Sequence, residues 1–250
     1  MEYTFNPFSL AGKTILVTGA SSGIGQSIAV TVSKMGGKVI ISGRSKEKLQ
    51  HTLSMMQGDE NLIISADLLQ QSDVDALSTD VPQLDGVVHC AGIGHRMPAK
   101  MVTEKDVDMV MKANFYGAVL LQAELLRQKK INKNSSIVFI ASKSVDYPSM
   151  GNSIYSASKG ALIAYSKCLA LELAPRGIRV NCISPAMVWT DLILQNEITI
   201  EQLKESEKNY PLKRYGKPED VANLAVYLLS DASSWMTNSC IDITGGGSKL

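Results

Sequence analysis

Histidine is scarce in this chain, three residues of 250, and none stands at zinc-ligand spacing from a cysteine or a carboxylate. A metal centre is therefore not expected. Cysteine is nearly as rare: Cys90, Cys168, Cys182 and Cys240 are scattered, mostly inside apolar runs such as VVHCAG and VNCIS. That placement predicts small buried hydrophobes in a reducing compartment and argues against a disulfide frame. No charge of either sign is in excess. The 25 Lys and Arg face 24 Asp and Glu, a formal net charge of +1, so no broad field favours a polyanion and nucleic acid is not an expected partner. The start, MEYTFNPFSLAGK, lacks the basic and apolar regions of a signal peptide, and no apolar run approaches the ~20 residues of a membrane span. A cytoplasmic protein with no membrane partner is expected. Tandem repeats, low-complexity tracts and linkers rich in Pro and Gly are also missing, so nothing marks an interior boundary, and 250 residues suit one α/β domain.

What is present is alternation. Apolar runs of strand length, KTILVTG, KVIISG, NLIISA, DGVVHCAG, SSIVFIAS, IRVNCIS and CIDITGG, recur along the whole chain. They are continuous and do not alternate with polar residues, as strands buried on both faces read. Between them lie helical patterns, including 25–35, 45–57, 104–128, 151–174 and 218–230. The last opens on Pro218-Glu219-Asp220, a favoured helix start. The fold class predicted is α/β, a doubly wound parallel sheet of about seven strands with helices on both faces.

Two stretches carry chemistry. The first strand ends in Thr18-Gly19-Ala20-Ser21-Ser22-Gly23-Ile24-Gly25 and a helix follows at once. Glycines there allow a tight turn and let backbone N–H groups approach a pyrophosphate at the positive end of the helix. In Tyr155-Ser156-Ala157-Ser158-Lys159, the phenol and the ammonium stand one helical turn apart. A phenol has an ordinary pKa of about 10, and a fixed ammonium nearby favours its ionised form. Tyr155 is thus a candidate proton donor and acceptor, the alternative being an exposed Tyr beside a surface Lys.

Taken in order, these motifs resemble the short-chain dehydrogenase/reductase family, from Lys13 nearly to the C-terminus. TGASSGIG resembles its cofactor loop, SADLL the segment that contacts adenine, KANFYG and IASKS two further motifs, with Ser142 thirteen residues before Tyr155. The resemblance implies a single NAD(P)-binding Rossmann domain over residues 1–250 with a substrate lid at about 187–215. It implies a catalytic set of Asn114, Ser142, Tyr155 and Lys159 and an enzyme that passes hydride between nicotinamide and a small carbonyl or alcohol substrate. In these roles Tyr155 exchanges the proton, Ser142 holds the carbonyl oxygen, Lys159 binds the nicotinamide ribose and Asn114 anchors a water. The implied cofactor contacts are Gly19, Ser21, Ser22, Gly23, Ile24, Gly25, Arg44, Asp67, Leu68, Ala91, Gly92, Tyr155, Lys159, Pro185, Val188 and Thr190.

The second strand ends in Gly43-Arg44, where members that use NAD place an Asp. A missing acid and a guanidinium favour NADP(H) over NAD(H), with Ser42 and Ser45 as supporting donors. Departures from the family pattern are His89-Cys90 before Ala91-Gly92, Ala186 after Pro185 and Thr244 before Gly245-Gly246. His89 reads as a core residue. In the lid, Leu192, Ile193, Leu194, Ile198 and Leu203 either face an acyl chain or pack the lid's own helix. PLKRYGKPEDVA is similar to 3-oxoacyl-[acyl-carrier-protein] reductases, and sugar, polyol and steroid dehydrogenases share it; a non-catalytic dinucleotide sensor is the reading from another class. Relatives pair their long apolar helices, which implies a homotetramer.

Overall fold

The computed structural model describes residues 6–194 and 199–247. Seven strands, β1 (Thr14–Thr18), β2 (Lys38–Gly43), β3 (Leu62–Ser65), β4 (Leu84–His89), β5 (Ile131–Ile140), β6 (Arg179–Pro185) and β7 (Ser239–Ile243), form one sheet in the order β3-β2-β1-β4-β5-β6-β7. Every pairing is parallel. The continuous apolar runs have the expected cause. In β1, Leu16 packs into one core while Ile15 and Val17 pack into the other, because successive side chains leave opposite faces of the pleat. A strand covered on both sides must be apolar at every position.

Helices α1 (Gly23–Lys34), α2 (Lys46–Ser54), α3 (Gln71–Asp80), α4 (Glu104–Met111), α5 (Gly117–Arg127), α6 (Ser153–Leu173), α7 (Asp191–Leu194), α8 (Ile200–Glu207) and α9 (Pro218–Leu229) complete the order. Ile28, Ala29 and Val32 of α1 join Val221, Ala225 and Leu229 of α9 over one face of the sheet. Leu77, Leu121, Leu125, Leu162 and Leu169, from α3, α5 and α6, cover the other. Side chains of this size each gain about 1.5–3 kcal/mol on full burial, so the two cores fix which face each helix takes. A third, smaller cluster of Ile193, Leu203, Tyr210 and Tyr215 belongs to the segment that includes α7 and α8.

The helix expected over 104–128 is continuous, but it contains a π-helical turn at Lys112–Tyr116 between α4 and α5. Nothing in KANFY announces it. The strand expected at SSIVFIAS starts earlier, at Ile131, with a break in register between the pairs Leu84–Ile131 and Gly86–Ser136. Asn134 takes φ 60° inside that break, a conformation Asn tolerates better than most residues. The polar letters NKNS hid this strand start.

The chain runs outward from β1 to β2 and β3, then returns to lay β4 on the other side of β1. This reversal opens a crevice at the carboxyl ends of β1 and β4, where ligands bind in sheets of this type. Among the described residues no helix is long and apolar enough to cross a membrane, and no group of three or more His, Cys, Asp or Glu could hold a metal ion.

Candidate active site

The glycine turn after β1 forms one wall of the crevice. Gly19 has φ 67°, and a Cβ built on it would stand 2.7 Å from the Ala91 nitrogen. A Cβ on Gly25 would stand 2.3 Å from the Gly19 carbonyl oxygen. Real Cβ atoms do not approach backbone so closely, so only glycine lets the turn close onto itself and onto the chain after β4. Ser22 at the head of α1 accepts no side-chain bond from the first turn, which leaves those N–H groups free of a side-chain partner at the positive end of the helix. These features fit a dinucleotide pyrophosphate.

Thr18 joins the two walls, a task the sequence reading did not assign. Its Oγ1 accepts from the N–H groups of Cys90 at 3.2 Å and Ala91 at 3.4 Å and donates to the Val88 carbonyl at 3.3 Å. At Cys90, one of the departures from the family pattern, the backbone is held by Thr18. His89 is a core residue: it is buried, stacks on Phe139 at 4.6 Å, and meets Gln122 at 3.0 Å. Burial pushes its pKa down to about 4, so it stays neutral.

Asn114 sits in the π-helical turn, fully buried. Its Oδ1 accepts from the Ile93 N–H at 2.7 Å, and its Nδ2 donates to the Ile93 carbonyl at 3.0 Å and to Ser158 Oγ at 3.1 Å. Ser158 in turn donates to the Tyr155 carbonyl at 2.7 Å. A π turn widens the helix, and here it presents an amide that clamps the segment after β4 onto α6. A Cβ on Gly92 would lie 3.0 Å from Asn114 Oδ1 and 3.4 Å from Lys159 Nζ, which places both side chains against that segment.

Ser142, Tyr155 and Lys159 meet at the carboxyl end of β5. The Ser142 hydroxyl accepts from the Ser144 N–H at 3.2 Å and lies near enough to the Tyr155 phenol to lower its pKa. Lys159 is 5% exposed, donates from Nζ to the Ile140 carbonyl at 2.8 Å, and lies 5.9 Å from the centre of the Tyr155 ring. Burial lowers the Lys159 pKa to about 8. Burial opposes the pull toward an ionised Tyr155 that the neighbouring ammonium implies. Burial dominates and raises the phenol pKa, against the smaller opposing effect of Ser142. Tyr155 therefore stands as a protonated acid.

The remaining candidates divide. Arg44 is exposed directly after β2, and a Cβ on neighbouring Gly43 would lie 3.6 Å from Ser21 of the glycine turn. Ser42 is buried, and Ser45 at the half-exposed head of α2 accepts from the Lys48 N–H at 3.3 Å, which leaves its own hydroxyl proton to donate. Asp67 accepts from the Leu69 N–H at 3.1 Å, and Leu68 packs where a Cβ on Gly117 would lie 2.9 Å from it. After Pro185, Val188 pairs with Gly216, and the methyl of Thr190 sits 3.2 Å from where a Cβ on Gly23 would be. Ala186, Met187 and Trp189 pack on the cluster of Ile193, Leu203, Tyr210 and Tyr215. Of the apolar lid positions, then, Ile193 and Leu203 pack the segment's own core, Leu192 and Leu194 are exposed, and Ile198 lies outside the described residues. His95 pairs with Asp106 at 2.9 Å at the start of α4. A groove of about 360 Å³ is lined by Ser22, Gly23, Trp189 and Thr190 but by none of Asn114, Ser142, Tyr155 or Lys159. It borders the glycine turn, whereas the titratable groups lie at the ends of β4 and β5.

The profile of the family described as enoyl-(acyl carrier protein) reductase matches residues 19–248. The chain is 35% identical over 237 residues to the 3-oxoacyl-[acyl-carrier-protein] reductase of Rickettsia felis, covering 95% of this chain and 97% of that protein. It is 32% identical over 251 residues to the L-xylulose reductase of Caenorhabditis elegans, covering 97% and 98%. Among solved structures it is similar to levodione reductase, with TM-score 0.89 at 28% identity, covering 96% and 98% of the two chains. A dehydrogenase/reductase from Sinorhizobium meliloti gives TM-score 0.88 at 31% identity over 96% of both. The chain belongs to the short-chain dehydrogenase/reductase family. It is an oxidoreductase acting on CH–OH groups with a nicotinamide cofactor.

Replacing Thr18 by the isosteric Val leaves the Cys90 and Ala91 N–H groups without their acceptor. The expected outcome is a loss of about 1–3 kcal/mol, read as a lower urea midpoint at unchanged slope.

Proposed function

We propose that this protein interconverts a ketone and a secondary alcohol with NADP(H), Tyr155 giving or taking the proton. The observation that carries the reading is the Tyr155 phenol beside the buried Lys159 ammonium, whose Nζ lies 5.9 Å from the phenol ring centre, with Ser142 close enough to act on the phenol pKa. Bound NADP(H) supplies or accepts the hydride. Gly19, Ser21, Ser22, Gly23, Ile24 and Gly25 would hold its pyrophosphate at the head of α1, Asp67 and Leu68 would meet its adenine, and Ala91, Gly92, Pro185, Val188, Thr190 and Lys159 would hold its nicotinamide half, Lys159 by donating to the ribose hydroxyls.

The residues then act in order. A phenol with a raised pKa holds its proton at neutral pH and releases it only when an oxygen bearing developing negative charge comes within reach. Ser142 bonds that same oxygen and fixes its distance from the phenol. The Lys159 ammonium offsets the charge left on Tyr155, which its field does not remove in advance. Asn114, with its amide spent on Ile93 and Ser158, serves as the clamp that keeps Lys159 and Tyr155 in line. Residues 187–215 act as the lid that excludes water.

Arg44 favours NADP(H), because a guanidinium in the open beside the glycine turn can bond a 2′-phosphate in bidentate fashion and no acid stands at Gly43 to repel it. A 3-oxoacyl thioester is the favoured substrate. The relative from Rickettsia felis supports it, as does the exposed apolar Leu192, whose Cδ1 lies 3.3 Å from a Cβ built on Gly94 at the crevice mouth. A sugar or polyol is the second reading, supported by the Caenorhabditis elegans relative. Exposed Met109, Tyr116, Leu120 and Leu171 on α4, α6 and the helical run between them support a homotetramer.

Tyr155→Phe is expected to lower kcat by about 10²–10⁴-fold while NADPH binding stays close to that of the unmodified protein. Near-normal turnover in that variant rejects the assignment. Arg44→Ala is expected to raise KM for NADPH by roughly 10-fold or more and leave KM for NADH nearly unchanged; equal effects on both reject the 2′-phosphate contact. The Lys159 ammonium is fully present well below its pKa of about 8 and is lost as pH rises through that value. NADPH affinity, followed by nucleotide fluorescence, should therefore weaken as pH climbs past 8, and in Lys159→Arg that decline should disappear.

A further inference from the structure

Cysteine was expected to be buried and inert, yet of the four thiols Cys168 and Cys240 are exposed. Cys240 lies on the edge strand β7 and is the register partner of Cys182 on β6. Partners in neighbouring strands have Cα atoms about 4.8 Å apart, inside the span a disulfide bridges. Because the pairing is in register, both side chains leave the same face of the sheet, the face covered by α6. Cys182 Sγ lies 3.0 Å from Ser166 Oγ of that helix, and the two thiols interact with each other. The neighbouring Cys182 thiol holds the Cys240 thiol below its usual range.

We propose that Cys182 and Cys240 are a redox modification site, closed to a cross-strand disulfide by a peroxide and reopened by a thiol. The exposed Cys240 thiolate attacks one peroxide oxygen and becomes a sulfenic acid, and the other oxygen leaves as water after taking a proton. Cys182 sulfur then attacks the Cys240 sulfur, and the Cys182 proton leaves with the hydroxyl as a second water. Two electrons pass from the thiol pair to the peroxide, so each bridge consumes one peroxide. An external thiol reverses the step by attacking Cys240, the accessible sulfur.

The bridge bears on the candidate site through β7. Asp242, two residues beyond Cys240 on the same face, accepts from Lys143 Nζ at 2.5 Å, and Lys143 follows Ser142 directly. Drawing Cys240 toward Cys182 moves the strand that positions Asp242 and Lys143, and Ser142 with them. This last link rests on the role proposed for Ser142; the bridge itself does not.

The full-length protein is treated with hydrogen peroxide, alkylated and mapped by peptide mass spectrometry, then reduced with dithiothreitol and mapped again. The expected result is a linked Cys182–Cys240 peptide pair, lost on reduction and absent from Cys240→Ser. Where a carbonyl substrate is turned over, turnover should fall several-fold on oxidation and recover on reduction, and Cys240→Ser should show neither change. Sulfinic acid on Cys240 without a link, or a link to Cys90 or Cys168 instead, overturns the site. A link with unchanged turnover overturns the connection to Ser142. Mapping needs no substrate, so a chain inactive on every carbonyl would still decide whether the bridge forms.

Discussion

An ammonium held almost out of solvent, with no carboxylate against it among the described residues, is the constraint around which the site is built. Desolvating such a charge costs several kcal/mol, and the structure meets that cost with the Ile140 carbonyl at 2.8 Å and with a pKa allowed to sink to about 8. That carbonyl is available because β5 ends there, in the middle of the sheet, with β4 and β6 on either side. The sheet thus brings the carboxyl end of a central strand beneath α6, and α6 brings Lys159 and Tyr155 to it one turn apart. Had the helix been docked one turn away, the charge would have met apolar side chains and no acceptor.

The same strand ends explain the crevice. At the reversal between β1 and β4 the two chains approach so closely that no Cβ fits at Gly19, and Thr18 supplies bonds to both N–H groups beyond β4. Asn114 then fixes Ile93 from the other side. The segment between these two anchors is the floor on which a dinucleotide would lie. Its shape is set by one hydroxyl and one amide, both buried and both bonded to backbone. Such bonds are worth only about 1 kcal/mol each when made and more than that when left unmade.

Burial reverses one inference that charge alone supports. Lys159 as a nearby ammonium argues for an ionised Tyr155, but the pair shares a desolvated site, and desolvation opposes both charges together. The phenol therefore keeps its proton and the ammonium loses some of its hold on its own. Sequence spacing reports that two groups are neighbours. It carries no measure of the medium between them.

The strands themselves were legible because a sheet covered on both faces requires unbroken apolar runs, and seven such runs stand in the chain, but their order was not. The glycine turn was legible because backbone that must touch backbone admits no other residue. Tyr155 and Lys159 could be anticipated as neighbours from one helical turn, and Ser142 beside them from the family resemblance. The π-helical turn at Asn114, the early start of β5 and the tie made by Thr18 had no signal in local pattern, since each depends on a partner far away in sequence. The meeting of Cys182 and Cys240 is of that kind too: two scattered cysteines become neighbours only when β7 takes the outer place beside β6. Local periodicity determined which segments would be strands and helices, while long-range packing decided which polar atoms met, because a hydrogen bond between distant residues depends on register and docking that no single segment encodes.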